Sequence, residues 1–474
     1  MDSSTTQNAS PADGVRPTAD EIRQAFHAVG SDATALLDRL FDEKTFIETG
    51  AYTKRNRYAG STATRAEELE GVITGYGAVH GALVYAFVQD LSRMGGAVDD
   101  NHAKKITALY ELALANGAPV VGILNSRGAD VFEGASTLSA YGKIIRAVTA
   151  ASGAIPQIAL VSGTCTGTLA SIAALFDLTV TTKDAQLYVQ APLFTGVSDN
   201  ETVAFSGDES EALSFVRSLL SYLPSGGAHA IAVKPCTDSV HRLTTAALSG
   251  GMRALVSNIA DNGQLMELYR DASSAVTALS YIGGVRCGVV GTDASVDEGR
   301  IDAAAARKIA RFVSFCDAFS IPVLTLVDSM GAALDTQPNF SAALARLAAA
   351  YASASVPTIS VVVGHAIGCA YILLGSKAVG ADLSYVLDTA EIGVLPAESA
   401  VAFAWESRIT PTHSREALQD EWRQGPSSAL AAASCGEVDD ILALPELRAR
   451  ICSALLMLAQ KGEARARRHS VLPL

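Results

Sequence analysis

One stretch of this chain returns 203 residues later in recognisable form. Lys105-Ile106, then Ala118-Pro119-Val120-Val121-Gly122-Ile123-Leu124-Asn125-Ser126-Arg127-Gly128-Ala129, is answered by Lys308-Ile309 and Ile321-Pro322-Val323-Leu324-Thr325-Leu326-Val327-Asp328-Ser329-Met330-Gly331-Ala332. Further on, Ile155-Pro156-Gln157-Ile158 matches Val356-Pro357-Thr358-Ile359, and Gly163 and Gly167 match Gly364 and Gly368, now 201 residues apart. Matched blocks in one order and at a nearly constant offset do not arise by chance. The chain is a tandem duplication and has to fold as two copies of one unit.

Each copy carries the same local pattern. A short apolar run follows a proline and ends in a glycine turn, as a buried strand does. A helical stretch precedes it. Lys104 to Asn116 places Ile106, Leu109, Tyr110 and Leu112–Ala113 on one side, and Ala303 to Ala318 does so with Ile309, Phe312, Val313 and Cys316. Alternating strands and helices predict an α/β layered architecture. A chain of 474 residues fits two such domains. The expected division is a flexible N-terminal extension over 1–32, polar and carrying Pro11 and Pro17, a first domain over 33–227, a connecting segment over 228–266 and a second domain over 267–474.

Composition removes several functions. The net charge of −13 has the wrong sign for a nucleic-acid binder, and the basic run Lys461, Arg465, Arg467, Arg468 and His469 reads as a solvated tail or a partner contact. Seven cysteines without a Cys-x-x-Cys pair indicate a reducing compartment and give no metal site. The N-terminus has no signal-peptide pattern, so a cytoplasmic protein is expected. The apolar runs Ile158 to Phe176 and Ile359 to Ser376 are interrupted by Gly, Ser, Thr or His, and read as buried strand, turn and helix rather than as membrane insertions.

Chemistry concentrates at the repeated turns Gly163-Thr164-Cys165-Thr166-Gly167-Thr168-Leu169-Ala170 and Gly364-His365-Ala366-Ile367-Gly368-Cys369-Ala370-Tyr371. Each follows an apolar strand and opens a helix, whose first N–H groups lack partners within the helix. Glycine lets another molecule approach that backbone, so such a turn can hold an anion or an enolate oxygen. The other reading is close packing of strand and helix. No Gly-x-Ser-x-Gly elbow, Walker loop or Gly-x-Gly-x-x-Gly unit is present. The eight histidines are scattered, and only His365, beside the second repeated turn, is a candidate, where it serves equally well as a packed helix-start residue.

At these residues the chain resembles the carboxyltransferase subunits of biotin-dependent enzymes: the β subunits of acyl-CoA carboxylases, such as propionyl-CoA carboxylase, and the α subunits of methylmalonyl-CoA and glutaconyl-CoA decarboxylases. The markers include Gly71-Val72-Ile73-Thr74-Gly75-Tyr76-Gly77, Gln89-Asp90, Gly95-Gly96-Ala97, Glu133-Gly134 with Tyr141-Gly142, and Ser152-Gly153-Ala154-Ile155-Pro156-Gln157. Ala310-Arg311-Phe312-Val313, Gly375-Ser376-Lys377, Gly380-Ala381-Asp382 and the ending Arg467 to Leu474 belong with them.

The resemblance implies tandem-duplicated crotonase-like domains of the ClpP/crotonase superfamily with two oxyanion holes. Gly167 and Thr168 would face the acyl-CoA thioester, and Cys369 and Ala370 the ureido oxygen of biotin. Gly95, Gly96, Gly128, Ala129, Tyr371 and Ile372 fall at substrate-binding positions, and an apolar Ile372 favours an uncharged acyl group. The implied reaction moves CO2 between carboxybiotin and the α-carbon of an acyl-CoA. Coenzyme A enters as part of the substrate. Biotin is covalently carried by a partner, since this chain has no Met-Lys-Met acceptor. The implied partners are a biotin carrier protein with either a biotin carboxylase or a membrane decarboxylase subunit, in a homo-oligomer that is a dimer or a trimer of dimers.

Some positions depart from the family pattern. Thr168 and Cys369 replace glycines, Asn125 to Asp130 and Ser329 to Ala333 carry altered loops, and Thr195 to Glu201 is short. Neither Thr nor Cys removes a backbone N–H. A non-catalytic scaffold and a biotin-independent crotonase-like CoA enzyme are the alternative readings.

Overall fold

The computed structural model describes residues 18–26, 30–55, 69–190, 202–224, 231, 233–245, 250–270, 273–334, 339–459 and 461. Arg465 to His469 and Thr195 to Glu201 lie outside the described residues.

The first half runs α1 (Ala19–Phe26), α2 (Asp32–Leu40), β1 (Ile47–Thr49), β2 (Val72–Val79), β3 (Ala82–Gln89), α3 (Asp100–Asn116), β4 (Val120–Leu124), α4 (Ala135–Ala151) and β5 (Gln157–Val161). It continues through β6 (Thr164–Thr166), α5 (Thr168–Leu175), β7 (Leu178–Thr182), β8 (Gln186–Tyr188), β9 (Val203–Gly207) and α6 (Glu209–Leu220). After α7 (Met252–Ile259) the second half runs β10 (Leu265–Leu268), β11 (Ala275–Ile282), β12 (Val285–Thr292), α8 (Ala303–Ala318), β13 (Val323–Ser329), α9 (Phe340–Ser353), β14 (Thr358–Ile367) and α10 (Cys369–Leu373). It closes with β15 (Leu383–Leu387), β16 (Glu391–Gly393), α11 (Ala397–Ala400), α12 (Arg415–Gln424), α13 (Ala429–Ser434), β17 (Asp440–Leu442) and α14 (Leu447–Leu458). Thus α1 forms inside the 1–32 span, and β10 crosses the 266/267 boundary to pair with β11.

The two sheets match strand for strand. The orders are β1-β2-β3-β4-β5-β7-β9 and β10-β11-β12-β13-β14-β15-β17. In each, the first three strands are antiparallel and the rest parallel. Parallel neighbours need crossover connections, which the intervening helices supply. The repeated prolines stand just before strands and act through their carbonyls. Pro119 and Pro322 accept from Tyr85 and Gly288, and Pro156 and Pro357 from Val120 and Val323. Proline without an N–H is tolerated at that entry position.

Strand alternation sorts the core. In β4, Val121 and Ile123 pack on one face with Leu36, Leu37 and Leu40 of α2 and Val216 and Leu219 of α6, in a core that continues into the second half. Val120 and Leu124 pack on the other face with Ile106, Leu109 and Tyr110 of α3 and Ile144 and Val148 of α4. The α8 stripe of Ile309, Phe312, Val313 and Cys316 is buried as expected. Leu112 is a correction: it is 46% exposed, because the buried stripe of α3 passes through Ile106, Leu109, Tyr110 and Ala113 and turns Leu112 outward. Lys461 is another, since its ammonium meets Asp382 (2.7 Å) and the Val356 carbonyl (3.0 Å) rather than solvent alone. No described helix is long and apolar enough to cross a membrane.

Candidate active site

Both glycine turns fold alike. Gly167 has φ +64° and ψ −137° and caps α5; Gly368 has φ +56° and ψ −127° and caps α10. This backbone region is essentially reserved for glycine. The Gly167 N–H donates to the Tyr188 carbonyl (3.1 Å) and the Gly368 N–H to the Gly393 carbonyl (2.8 Å). Each glycine amide is therefore consumed by the short parallel pairing beside it, β6 with β8 and β14 with β16.

The next amides are those of Thr168 and Cys369, the first residues of α5 and α10, which have no intrahelical acceptor. Thr168 is exposed and Cys369 half-buried. Ala370 has no exposed surface, so its N–H is enclosed in this conformation.

A loop from the neighbouring strand lies against each turn. In the first half Ser126 N–H donates to the Thr164 carbonyl (2.8 Å), the Asn125 carboxamide accepts from Thr164 N–H (3.1 Å), and Asn125 N–H donates to Gln89 (3.0 Å). A side chain on Gly163 would collide with that carboxamide. Gly95 and Gly96 take left-handed φ values of +69° and +63°. Their carbonyls receive Arg127 N–H (2.9 Å) and the Ser126 hydroxyl (2.7 Å). Gly128 closes the loop, donating to Ser126 Oγ (3.0 Å) and accepting from Val98 N–H (2.9 Å), while Asp130 N–H donates to the Val98 carbonyl (2.9 Å). In such a parallel bridge the residue between, Ala129, directs its own N–H away from Val98. No acceptor for it occurs among the described residues, and Ala129 is exposed.

The second half repeats this loop at an offset of 203 residues. Met330 N–H donates to the Glu298 carbonyl (3.0 Å), Ile301 N–H to the Gly331 carbonyl (2.9 Å), and Ala333 N–H to the Ile301 carbonyl (2.9 Å). Gly331 matches Gly128, with φ +112° against +110°. Ala332 then stands where Ala129 does. Burial raises the Cys369 thiol above its ordinary value, and the N–H groups of Ala332 and of Cys369 itself act against that rise. Two backbone amides thus converge on one sulfur atom. A raised thiol is neutral near pH 7, which argues against a nucleophilic role.

The structure gathers Gly95, Gly96, Gly128 and Ala129 around the first turn. It leaves Tyr371 and Ile372 on α10 with Cys369. The Tyr371 hydroxyl is tied to Glu437, at 3.0 Å from its carbonyl and 3.3 Å from its carboxylate, and Ile372 is 53% exposed. No hydrogen bond or ion pair among the described residues links the first turn to the second. Sequence reasoning did not single out Ala332, which stands in the second loop where Ala129 stands in the first; its match to Ala129 was the available signal. It also left His365 undecided. The imidazole Nδ1 and the backbone N–H of His365 both meet Asp328 Oδ1, at 3.0 and 2.9 Å.

Beneath the first loop lies a buried ionic cluster. Arg55 meets Asp130 (2.6 Å), Asp99 (3.3 Å) and Glu70 (3.5 Å), and His102 Nδ1 lies 3.4 Å from Glu70. Burial and the nearby Glu70 charge push Asp99 well above the ordinary Asp range. Burial alone would raise Glu70 too, but His102 and Arg55 hold it below the usual range. Among the described residues no group of three His, Cys, Asp or Glu could hold a metal ion.

A carboxyl transferase domain model matches residues 32–203 and 195–472. The chain is 34% identical over 474 residues to a putative propionyl-CoA carboxylase beta chain of Bacillus subtilis, covering 92% of each chain. It is 31% identical to the methylmalonyl-CoA carboxyltransferase 12S subunit of Propionibacterium freudenreichii subsp. shermanii, covering 94% of this chain and 92% of that one. The crystal structure of transcarboxylase 12S, a hexamer with methylmalonyl-coenzyme A and methylmalonic acid bound, superposes with a TM-score of 0.86 at 30% identity, covering 93% of this chain and 92% of that chain.

Proposed function

The chain belongs to the carboxyl transferase family, and from that premise we propose how its two halves divide the work of a biotin-dependent acyl-CoA carboxyltransferase. The fold is the tandem crotonase-like arrangement of that family. Biotin, held on a carrier partner, supplies a ureido nitrogen that carries CO2. In the first half the amides of Thr168 and Ala129 receive the acyl-CoA thioester oxygen, where negative charge develops as the α-carbon loses a proton. In the second half the amides of Cys369 and Ala332 receive the ureido oxygen. Fixed amides aimed at developing charge need no reorganisation during reaction, and each contributes about 10²–10³ in rate.

The observation that carries this reading is the recurrence, in both halves, of a helix-start amide and a loop amide that donate to no backbone carbonyl among the described residues; in the second half both meet the Cys369 sulfur instead. Gly167 gives up its donor role because Tyr188 occupies its N–H, and Ala370 gives place to Ala332 because it is enclosed. The Cys369 sulfur lies in the second cradle, and rotation about its side-chain torsion would vacate it.

The acyl substrate is the propionyl-CoA and methylmalonyl-CoA pair. The relatives' names and the exposed apolar Ile372 support it. The protein acts as at least a homodimer, with the first half of one chain facing the second half of another. Support comes from exposed apolar residues in both halves, Val131 and Leu138 in the segment that follows Ala129, Val394 beside Gly368, and Phe403 further along the second half. The carrier's other partner is a biotin carboxylase or a membrane decarboxylase subunit, and a pull-down distinguishes them.

Incubating the pure chain with methylmalonyl-CoA and free biotin, and measuring propionyl-CoA by chromatography, tests the reading. Biotin-dependent product is expected. Decomposition of the thioester without biotin would favour a biotin-independent crotonase-like enzyme, and no turnover would favour a scaffold.

A further inference from the structure

The two cradles share one backbone plan but differ in side chains, and one paired difference stands out. Where the first half places Asn125 and Thr164, the second places Asp328 and His365. Both pairs hold the backbone in the same way. The Asn125 carboxamide accepts from Thr164 N–H (3.1 Å), and the Asp328 carboxylate from His365 N–H (2.9 Å). Asn125 and Thr164 are neutral and go no further. Asp328 also holds the imidazole, through Nδ1 at 3.0 Å, and is itself fixed by its N–H on Thr292 Oγ1 (2.8 Å). Holding the backbone therefore needs neither the charge on Asp328 nor the ring of His365.

The dyad is also well placed. Asp328 lies in β13, four residues before Ala332, and His365 in the adjacent parallel β14, four residues before Cys369. Each member of the pair thus precedes one of the two segments that supply cradle amides. The His365 side chain remains 45% exposed, and no acceptor among the described residues meets its Nε2.

We propose that His365, seated on Asp328, offers an imidazolium N–H to the anionic carboxylate that arrives or leaves with biotin at the second cradle. The proposal rests on the assignment of that cradle to biotin. His365 holds its proton throughout and contributes charge and position, not proton transfer. The groups facing it are Asp328 from β13, Glu391 from β16 and Arg423 from α12. The hydrogen bond to Asp328 is the largest influence and raises the imidazole above its ordinary value; burial opposes it, and Arg423 lowers it slightly. Arg423 is itself shared with Glu391 (3.4 Å) and Asp420 (3.0 Å). The protonated form, and with it the interaction, is present at lower pH and lost as pH rises through that raised value.

The test is carboxyl transfer from methylmalonyl-CoA to biotin methyl ester, whose esterified tail leaves the transferred carboxylate as the only anion on the ring system. Wild-type kcat/KM for the ester should decline as His365 loses its proton. His365→Gln should lower it about 10- to 100-fold, the scale of one charge-assisted hydrogen bond, and remove the decline. His365→Lys, a cation that does not titrate in this range, should recover most of the rate without the decline. The KM for methylmalonyl-CoA should stay unchanged in both variants. His365→Gln with wild-type rates and pH profile would overturn the proposal while leaving the carboxyltransferase reading intact, and so would an equal loss in both variants with the pH profile retained. A wild-type protein that consumes no biotin ester and no free biotin would overturn both.

Discussion

Gly167 and Gly368 are the residues on which each cradle turns. A side chain on Gly167 would meet open space, and one on Gly368 only the Val394 carbonyl at 3.4 Å, so the obstacle to alanine is the backbone conformation. Gly167→Ala and Gly368→Ala should each cost about 1–3 kcal/mol, measurable by urea denaturation, and should lower activity by re-aiming the following amide. Stability equal to wild type would mean that the turn is not held as described. These glycines were legible in the sequence because the duplication aligned them. The fate of their N–H groups was not, since the acceptors Tyr188 and Gly393 lie on separate short strands whose pairing no local pattern announces. Asp328 and His365 stand 37 residues apart, and only adjacency of β13 and β14 makes them a pair.

At the scale of elements, the helix expected over Ala303 to Ala318 is observed with those bounds, and each strand expected after a proline is present. Periodicity suffices there because one face is buried. It failed at Leu112, where an apolar residue off the stripe was counted with it. The cluster joining α3, the first cradle loop and Arg55 was likewise illegible, because its members come from four separate segments. Arg55→Leu removes the guanidinium that faces three buried carboxylates, a change that costs about 3–5 kcal/mol. Asp99, already raised by burial and by Glu70, loses an opposing positive charge and binds its proton more tightly when folded than unfolded. That contribution is present at low pH and lost as pH rises through its raised value. Denaturation at pH 5 and pH 8 should therefore show the larger deficit at pH 8. A deficit independent of pH would mean that lost packing, not stranded charge, is responsible.

For the whole molecule, the proposed mechanism accounts for the lack of a nucleophile in the sequence: each half would supply backbone amides, and what distinguishes the halves is the loop and turn chemistry laid over one plan. Within one chain the two turns share no hydrogen bond among the described residues, and in the proposed assembly the first half of one chain faces the second half of another. Sedimentation at micromolar concentration should give a mass at least twice 49.1 kDa, and Phe403→Asp should shift it toward the monomer with loss of activity. A fully active monomer would contradict that assembly. The central claim, that helix-start amides do the chemistry, is tested most directly at Thr168, the first residue of α5. Proline is tolerated at that position and removes the N–H, together with the threonine hydroxyl, for which Thr168→Val is the control. With circular dichroism unchanged, Thr168→Pro should lower carboxyl transfer from methylmalonyl-CoA to biotin by about 10²–10³; a folded Thr168→Pro protein turning over at the wild-type rate would contradict the account.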